Sequence, residues 1–157
     1  MKKSYHLLFT GFVLIFAACS NQQTESNGED AVTETTAIKA VLTNMWDAIE
    51  KHDIDRYASY VHPDFTQFGE TDSTLLVGKE AEVSGIKNWM EHSKNVHTEM
   101  IDPKITIKGN VAWLVYYWAD AGLNDGIPFK SRGKSTRIFL KEKGQWRCIH
   151  GHYTLLP

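Results

Sequence analysis

Four alternate residues near the C-terminus, Trp146, Cys148, His150 and His152, share one face of any strand that contains them, so two imidazoles lie side by side. If Lys143-Gly144 is a two-residue hairpin turn, Phe139 stands opposite Cys148, Arg137 opposite His150, and Ser135 opposite His152. Opposed side chains lie ~4.5–5.5 Å apart at Cβ. Arg137, His150 and His152 then form a polar cluster on a largely apolar face. A guanidinium there can hold a carboxylate through charge-assisted hydrogen bonds. His150 can carry a proton near neutral pH. A buried, unpaired arginine is very costly, so Arg137 requires either a bound anion or an internal carboxylate such as Asp64 or Asp120. A one-residue slip of register would part Arg137 from both histidines.

Asp64 is a second candidate for acid–base work, provided that it points inward. Trp46, Tyr57, Phe68, Trp89 and Trp118 supply flat apolar walls, which suit an organic ligand with one anionic group. His150-x-His152 gives two ligands of a metal site, but zinc needs a third and usually a fourth, and spacing supplies none. No metal and no cofactor is expected. No nucleophile triad spacing, phosphate loop or dinucleotide fingerprint occurs. Cys148 sits in an apolar strand pattern and reads as a buried small hydrophobe. The formal net charge of −2 argues against a nucleic-acid binder, which would carry a basic excess.

These residues must be positioned by a short list of elements. The chain of 157 residues, 42% hydrophobic and 23% charged, is the size of one domain. Ile38, Val41, Leu42, Met45, Trp46 and Ile49 fall on one face of a helix that begins near Thr35. Asp53 can cap a second helix over residues 54–61, and Val83, Ile86, Trp89 and Met90 mark a third over 79–93. Short strands are expected at 64–68 and 74–77. Longer ones rich in β-branched and aromatic residues are expected at 96–107, 111–121, 129–140 and 145–155. Pro103 implies an edge strand or a bulge. Helices followed by an antiparallel meander indicate the α+β class.

The order of these elements, with His62-Pro63-Asp64-Phe65 at the exit of the second helix and Ser135-Thr136-Arg137-Ile138-Phe139 followed by Gly144-Gln145-Trp146-Arg147-Cys148-Ile149-His150-Gly151-His152-Tyr153-Thr154, resembles the NTF2-like superfamily. Within it, the ending is similar to SnoaL-like domains and to the association domain of calcium/calmodulin-dependent protein kinase II. The resemblance implies a cone of three helices packed into a strongly curved antiparallel sheet, over residues 37–154. It also implies that Arg137 lies inside the cone, in a pocket between sheet and helices. It departs from the kinase domain at Val115, Lys134 and Ser135. The catalytic carboxylate and oxyanion sets of the superfamily's enzymes cannot be placed on this chain.

The N-terminus carries a different message. Lys2 and Lys3 precede an apolar run over residues 7–18, too short to span a bilayer, where ~20 residues are needed. This reads as a secretory signal. Phe16-Ala17-Ala18-Cys19 resembles a bacterial lipobox, which implies lipidation at Cys19 and an outer-membrane lipoprotein of the cell envelope. Removing residues 1–18 takes away two Lys and no acid, leaving 15 basic against 19 acidic residues. Residues 20–31 are polar with no large apolar group, so 19–34 read as the lipidated Cys with a flexible tether and 35–157 as the domain. The expected function is an exported lipoprotein whose pocket binds a small anionic organic ligand, with isomerase- or hydrolase-like activity on it. The alternative is a non-catalytic dimerisation module with a vestigial pocket. Trp and Tyr on both faces of 111–119 would leave an apolar patch that a homodimer covers.

Overall fold

The computed structural model describes residues 23–157 apart from Thr71, with side chains from Asp30 onward, so the signal segment and Cys19 lie outside the described residues. The elements are α1 (Gln23–Glu50), α2 (Ile54–Ser59), β1 (Val61–Phe68), β2 (Leu76–Val77), α3 (Lys79–His92), β3 (Ser93–Lys108), β4 (Val111–Asn124), β5 (Ile127–Glu142) and β6 (Gln145–Leu155). Six strands form one sheet in the order β2-β1-β6-β5-β4-β3. β1 lies parallel to β6, and every other neighbouring pair is antiparallel. Pro103 sits on the edge strand β3, inside a register shift between Ile101 and Lys104, so it removes no ladder bond from the sheet interior.

The apolar stripe of α1 is the centre of the core. Ile38, Val41, Leu42 and Met45 are buried, and they share that core with Phe65, Leu114, Phe139 and Cys148. Asp53 caps α2 as its position suggests, accepting from the Arg56 amide at 3.0 Å.

α1 starts at Gln23, well before Thr35, in the stretch expected to be a loose tether. Residues 23–34 hold a single large apolar residue, the exposed Val32, and carry no apolar period, so hydrophobic patterning gives no helix there. Glu34 explains why helix persists there. Its two carboxylate oxygens take the Lys141 ammonium at 2.5 Å and the Trp146 indole N–H at 2.6 Å. These bonds lower the Glu34 pKa and pin the helix to the sheet beside the β5–β6 turn.

One irregularity decides the site. The β5–β6 hairpin turns at Lys143-Gly144, both in the left-handed region, and pairs Glu142 with Gln145 and Phe139 with Cys148, as the sequence predicts. The register then shifts by one residue: Ile138 pairs with His150, Arg137 with Gly151, and Thr136 with His152. Ile149 is the extra residue of a β-bulge, and β1 changes register against β6 at the same level, between Val61 and Thr66. The expected Arg137–His150 pairing is therefore wrong. Arg137 keeps the face of Phe139, while His150 and His152 move to the other face and Gly151 and Tyr153 replace them.

The burial pattern of β4 locates the opening of the cone. It alternates strictly through Tyr117 and then becomes uniformly half-buried from Trp118 to Leu123. Alternation means that one face is sealed by helices. Its loss means that the concave face emerges from beneath them.

Candidate concave site

The concave face is built from alternate residues of three strands. β4 contributes Leu114, Tyr116, Trp118 and Asp120. Opposite them on β5 stand Arg137, Ser135, Gly133 and Ser131. β6 adds Cys148, Gly151 and Tyr153, and β1 adds Gln67, level with Gly151.

Arg137 reaches across β6 toward β1. Its Nη1 donates to Gln67 Oε1 at 2.8 Å. Gln67 Nε2 in turn donates to Glu82 Oε2 at 3.3 Å, and the Tyr57 hydroxyl donates to Glu82 Oε1 at 2.6 Å. Both oxygens of Glu82 thus accept, as a carboxylate does. Tyr57 and Glu82 are each only 3% exposed. A fixed relay Tyr57–Glu82–Gln67–Arg137 joins α2, α3, β1 and β5. The buried countercharge that Arg137 requires is Glu82; Asp64 and Asp120 do not supply it.

Glycine 151 makes the relay possible. A Cβ there would stand 2.3 Å from Arg137 Nη1, 2.7 Å from Gln67 Oε1 and 2.9 Å from Arg137 Cζ. The bulge at Ile149 brings the one residue without a side chain under the guanidinium.

Charge in the relay is well defined. Burial opposes the Arg137 charge, but Tyr116, Cys148, Tyr57 and Glu82 outweigh it and raise the pKa above the usual guanidinium value. Burial, reinforced by Glu82, raises Tyr57 well above an ordinary phenol, so its hydroxyl stays a donor. Burial pushes the Cys148 thiol up to about 11, which leaves it inert as a nucleophile at neutral pH. Arg137 Nε is nevertheless buried without a hydrogen-bond acceptor.

Nearer the opening, Trp118 meets Tyr153 edge-on at 6.4 Å between ring centroids, and Trp89 meets Phe129 in the same manner at 5.6 Å. Asp120 lies in this aromatic zone. Its Oδ1 is buried and has no partner. Burial raises its pKa against the opposing pull of Ser131, and Glu70 adds to the rise.

Of the residues singled out from sequence, Arg137, Tyr57, Trp46, Trp89 and Trp118 belong to the concave side, where Trp46 packs edge-on against Tyr116 at 5.7 Å. His150, His152 and Phe68 face outward. His150 Nδ1 bonds the Thr66 hydroxyl at 2.8 Å, and Phe68 lies edge-on to His152 at 6.1 Å. Burial, with His152 and Arg137 adding to it, lowers the His150 pKa, so the ring is neutral at pH 7 and is no second charge beside Arg137. Asp64 has an 87% exposed side chain and is no interior base. Among the described residues no three His, Cys, Asp or Glu converge on a metal position.

Gln67, Glu82, Gly151 and Tyr153 were missed. Glu82 had a detectable signature: it precedes Ile86 by four and Met90 by eight, which puts it on the apolar stripe of α3. A carboxylate in such a stripe needs an interior partner. Nothing local marks Gln67.

A curved sheet wrapped on three helices, with a polar relay under an aromatic opening, defines an NTF2-like cone. The SnoaL-like domain model matches residues 38–156, and the chain belongs to that family. It is similar in fold to a candidate dehydratase of the NTF2-like family from Streptomyces avermitilis, with TM-score 0.74, 13% identity, and coverage of 81% of this chain and 99% of that one. It is likewise similar to a candidate scytalone dehydratase from Novosphingobium aromaticivorans, with TM-score 0.75, 10% identity, and coverage of 83% and 89%. By sequence it is 26% identical to calcium/calmodulin-dependent protein kinase type II of Caenorhabditis briggsae over 88% of this chain, which spans only 26% of that protein.

Proposed function

We propose that the domain binds a small anionic organic ligand in the cone, with a carboxylate or enolate-like oxygen taken by Arg137 and the hydrophobic body held against Tyr153 and Trp118, the aromatic residues that follow it on the concave face. The observation that carries this reading is the Arg137 guanidinium, fixed by Gln67 through Nη1 yet with a buried Nε that has no acceptor. Buried donors are rarely left unmet, and an orphan one in a concave site invites an acceptor. The dehydratase-like neighbours favour an isomerase- or hydrolase-like proton transfer over simple storage. Asp120 takes the place of His150 and Asp64 as the proton carrier, because it is the concave-face carboxyl with a raised pKa and a free oxygen.

The test is a melting-temperature panel of aromatic and aliphatic carboxylates. A binder at a hundredfold excess over Kd stabilises by about 2.7 kcal/mol, a shift of several degrees. Arg137→Met, of similar volume, is expected to abolish that shift. A full shift retained in Arg137→Met, or no shift from any carboxylate with the wild type, would overturn the reading.

The lipobox-like Phe16-Ala17-Ala18-Cys19 supports export and anchoring of the domain in the cell envelope through a lipid on Cys19. Cys19→Ser is expected to move the protein out of the membrane fraction or to block its processing. Unchanged mass and retention in that variant would refute the anchor.

A second reading, compatible with the first, is a homodimer through the outward face of the sheet. Ile101, Trp113, Val115 and Tyr117 are 40%, 37%, 37% and 49% exposed there and form one contiguous apolar band on β3 and β4. Monomers seldom leave such a band uncovered.

A further inference from the structure

Two buried polar atoms of the concave face lack a partner, and they differ in kind: Arg137 Nε is a donor and Asp120 Oδ1 an acceptor. They belong to one continuous wall. Along β5 the inward positions are Arg137, Ser135, Gly133 and Ser131. Tyr153 stands beside Ser135, Trp118 beside Gly133, and Asp120 beside Ser131. Six residues of strand part Arg137 from the Asp120 level, roughly 20 Å of backbone. The inward reach of both side chains on a curved sheet shortens that span somewhat. A compact acid held by Arg137 still cannot touch Asp120.

A second glycine shapes the interval. A Cβ at Gly133 would stand 2.5 Å from both Cε2 and Cζ2 of Trp118. The indole therefore lies down over β5, in space that any other residue would fill, as the Arg137 guanidinium does over Gly151. With Tyr153 edge-on to it, Trp118 makes the wall between the two unpartnered atoms aromatic. The far end is also acidic. A Cβ at Gly69 would lie 3.2 Å from the Tyr153 hydroxyl, and Asp72 Oδ2 accepts from the Gly69 amide at 2.8 Å, so the loop after β1 borders this wall. Burial, and after it Glu70, raises the pKa of both Asp120 and Tyr153, and Asp72 adds to the rise at Tyr153. The negative charge of Glu70 and Asp72 thus acts at the end remote from Arg137.

We propose that the ligand is an elongated molecule with a carboxylate at one end for Arg137 and a protonated amine at the other for Asp120 Oδ1, its flat body lying on Tyr153 and Trp118. This rests on the Arg137 reading above and adds the length and the second polar end of the ligand. A buried acceptor is met by a donor, and neighbouring acids favour a donor that carries positive charge. A second carboxylate at that end would meet like charge. The same Oδ1 is the proton carrier named above, so the reacting end of the ligand is the one remote from its carboxylate.

The experiment is calorimetric titration of the full-length chain with para-(ω-aminoalkyl)benzoates whose alkyl chains are graded from well below the span to beyond it. The ω-alkyl and ω-carboxyalkyl benzoates of the same lengths are the controls. Short members are expected to bind alike whatever their far end. Once the chain reaches Asp120, the amine should bind about tenfold or more tighter than the alkyl compound, the scale of a charge-assisted hydrogen bond, and the dicarboxylate more weakly than either. Asp120→Asn should bring the amine down to the alkyl compound, and Arg137→Met should weaken all three. The length profile and the order of the three far ends are read on the wild type, so they decide the matter even if Asp120→Asn does not fold. An amine that gains nothing at any length, or a gain that survives in Asp120→Asn, overturns this inference and leaves Arg137 as the anchor. No binding by any benzoate overturns the anchor and this inference with it.

Discussion

Glu82→Leu is expected to cost the domain about 3–5 kcal/mol, the range for removing one member of a buried charge pair. The reasoning is local. Glu82 is almost wholly buried and accepts from Tyr57 and from Gln67. Leucine leaves the Tyr57 hydroxyl without an acceptor and removes the carboxylate that offsets Arg137 through Gln67. Glu82→Gln keeps the volume and part of the bonding, so it should cost less, about 1–3 kcal/mol. The double variant Glu82→Leu/Arg137→Met should recover much of the loss, because replacing both partners by apolar groups removes the uncompensated charge with them. Urea unfolding at constant m would measure all three. A cost below about 1 kcal/mol for Glu82→Leu would show that Arg137 does not depend on this relay.

The second large effect is expected from the smallest change. Gly151→Ala adds one methyl where Arg137 Nη1 and Gln67 Oε1 now lie. The clashing atoms are the ends of flexible side chains, so the backbone need not move. Arg137 must swing away instead and lose its bond to Gln67. Overpacking of this kind costs about 1–3 kcal/mol. More tellingly, Gly151→Ala should lose the carboxylate-induced melting shift as fully as Arg137→Met does, although it retains the charge. Gly85→Ala serves as the control. Nothing lies within 4 Å of a Cβ there, and the site is in a helix interior. It should stabilise by about 0.5–1 kcal/mol and leave ligand response unchanged. A normal ligand shift in Gly151→Ala would mean that Arg137 can serve the pocket from another rotamer.

Both effects involve partners far apart in sequence, and this separates what was legible from what was not. The stripe from Ile38 to Ile49, the Asp53 cap, the Lys143-Gly144 turn and the alternation of the long strands are local patterns set by helix and strand periods. They suffice for the α+β class and the element order. The resemblance carried by the motif near the C-terminus implies an interior Arg137, and Arg137 lies on the concave face because it shares the alternation of Phe139 on an uninterrupted strand.

The neighbours of Arg137 were another matter. Alternation counted from the turn placed His150 beside it, and one bulged residue, Ile149, reversed every side chain of β6 beyond that point. A bulge leaves no mark in composition or period. It is selected by what the opposite strands need, here a residue without a Cβ beneath a guanidinium that crosses to Gln67. The sequence by itself determined the elements and the apolar faces, since each follows from chemistry repeated over a few residues, while the interior position of Arg137 came from the family resemblance. Only the tertiary structure decided that Glu82 and Gln67, rather than His150 and His152, keep that arginine company, because register and burial are properties of strands and helices brought together from distant parts of the chain.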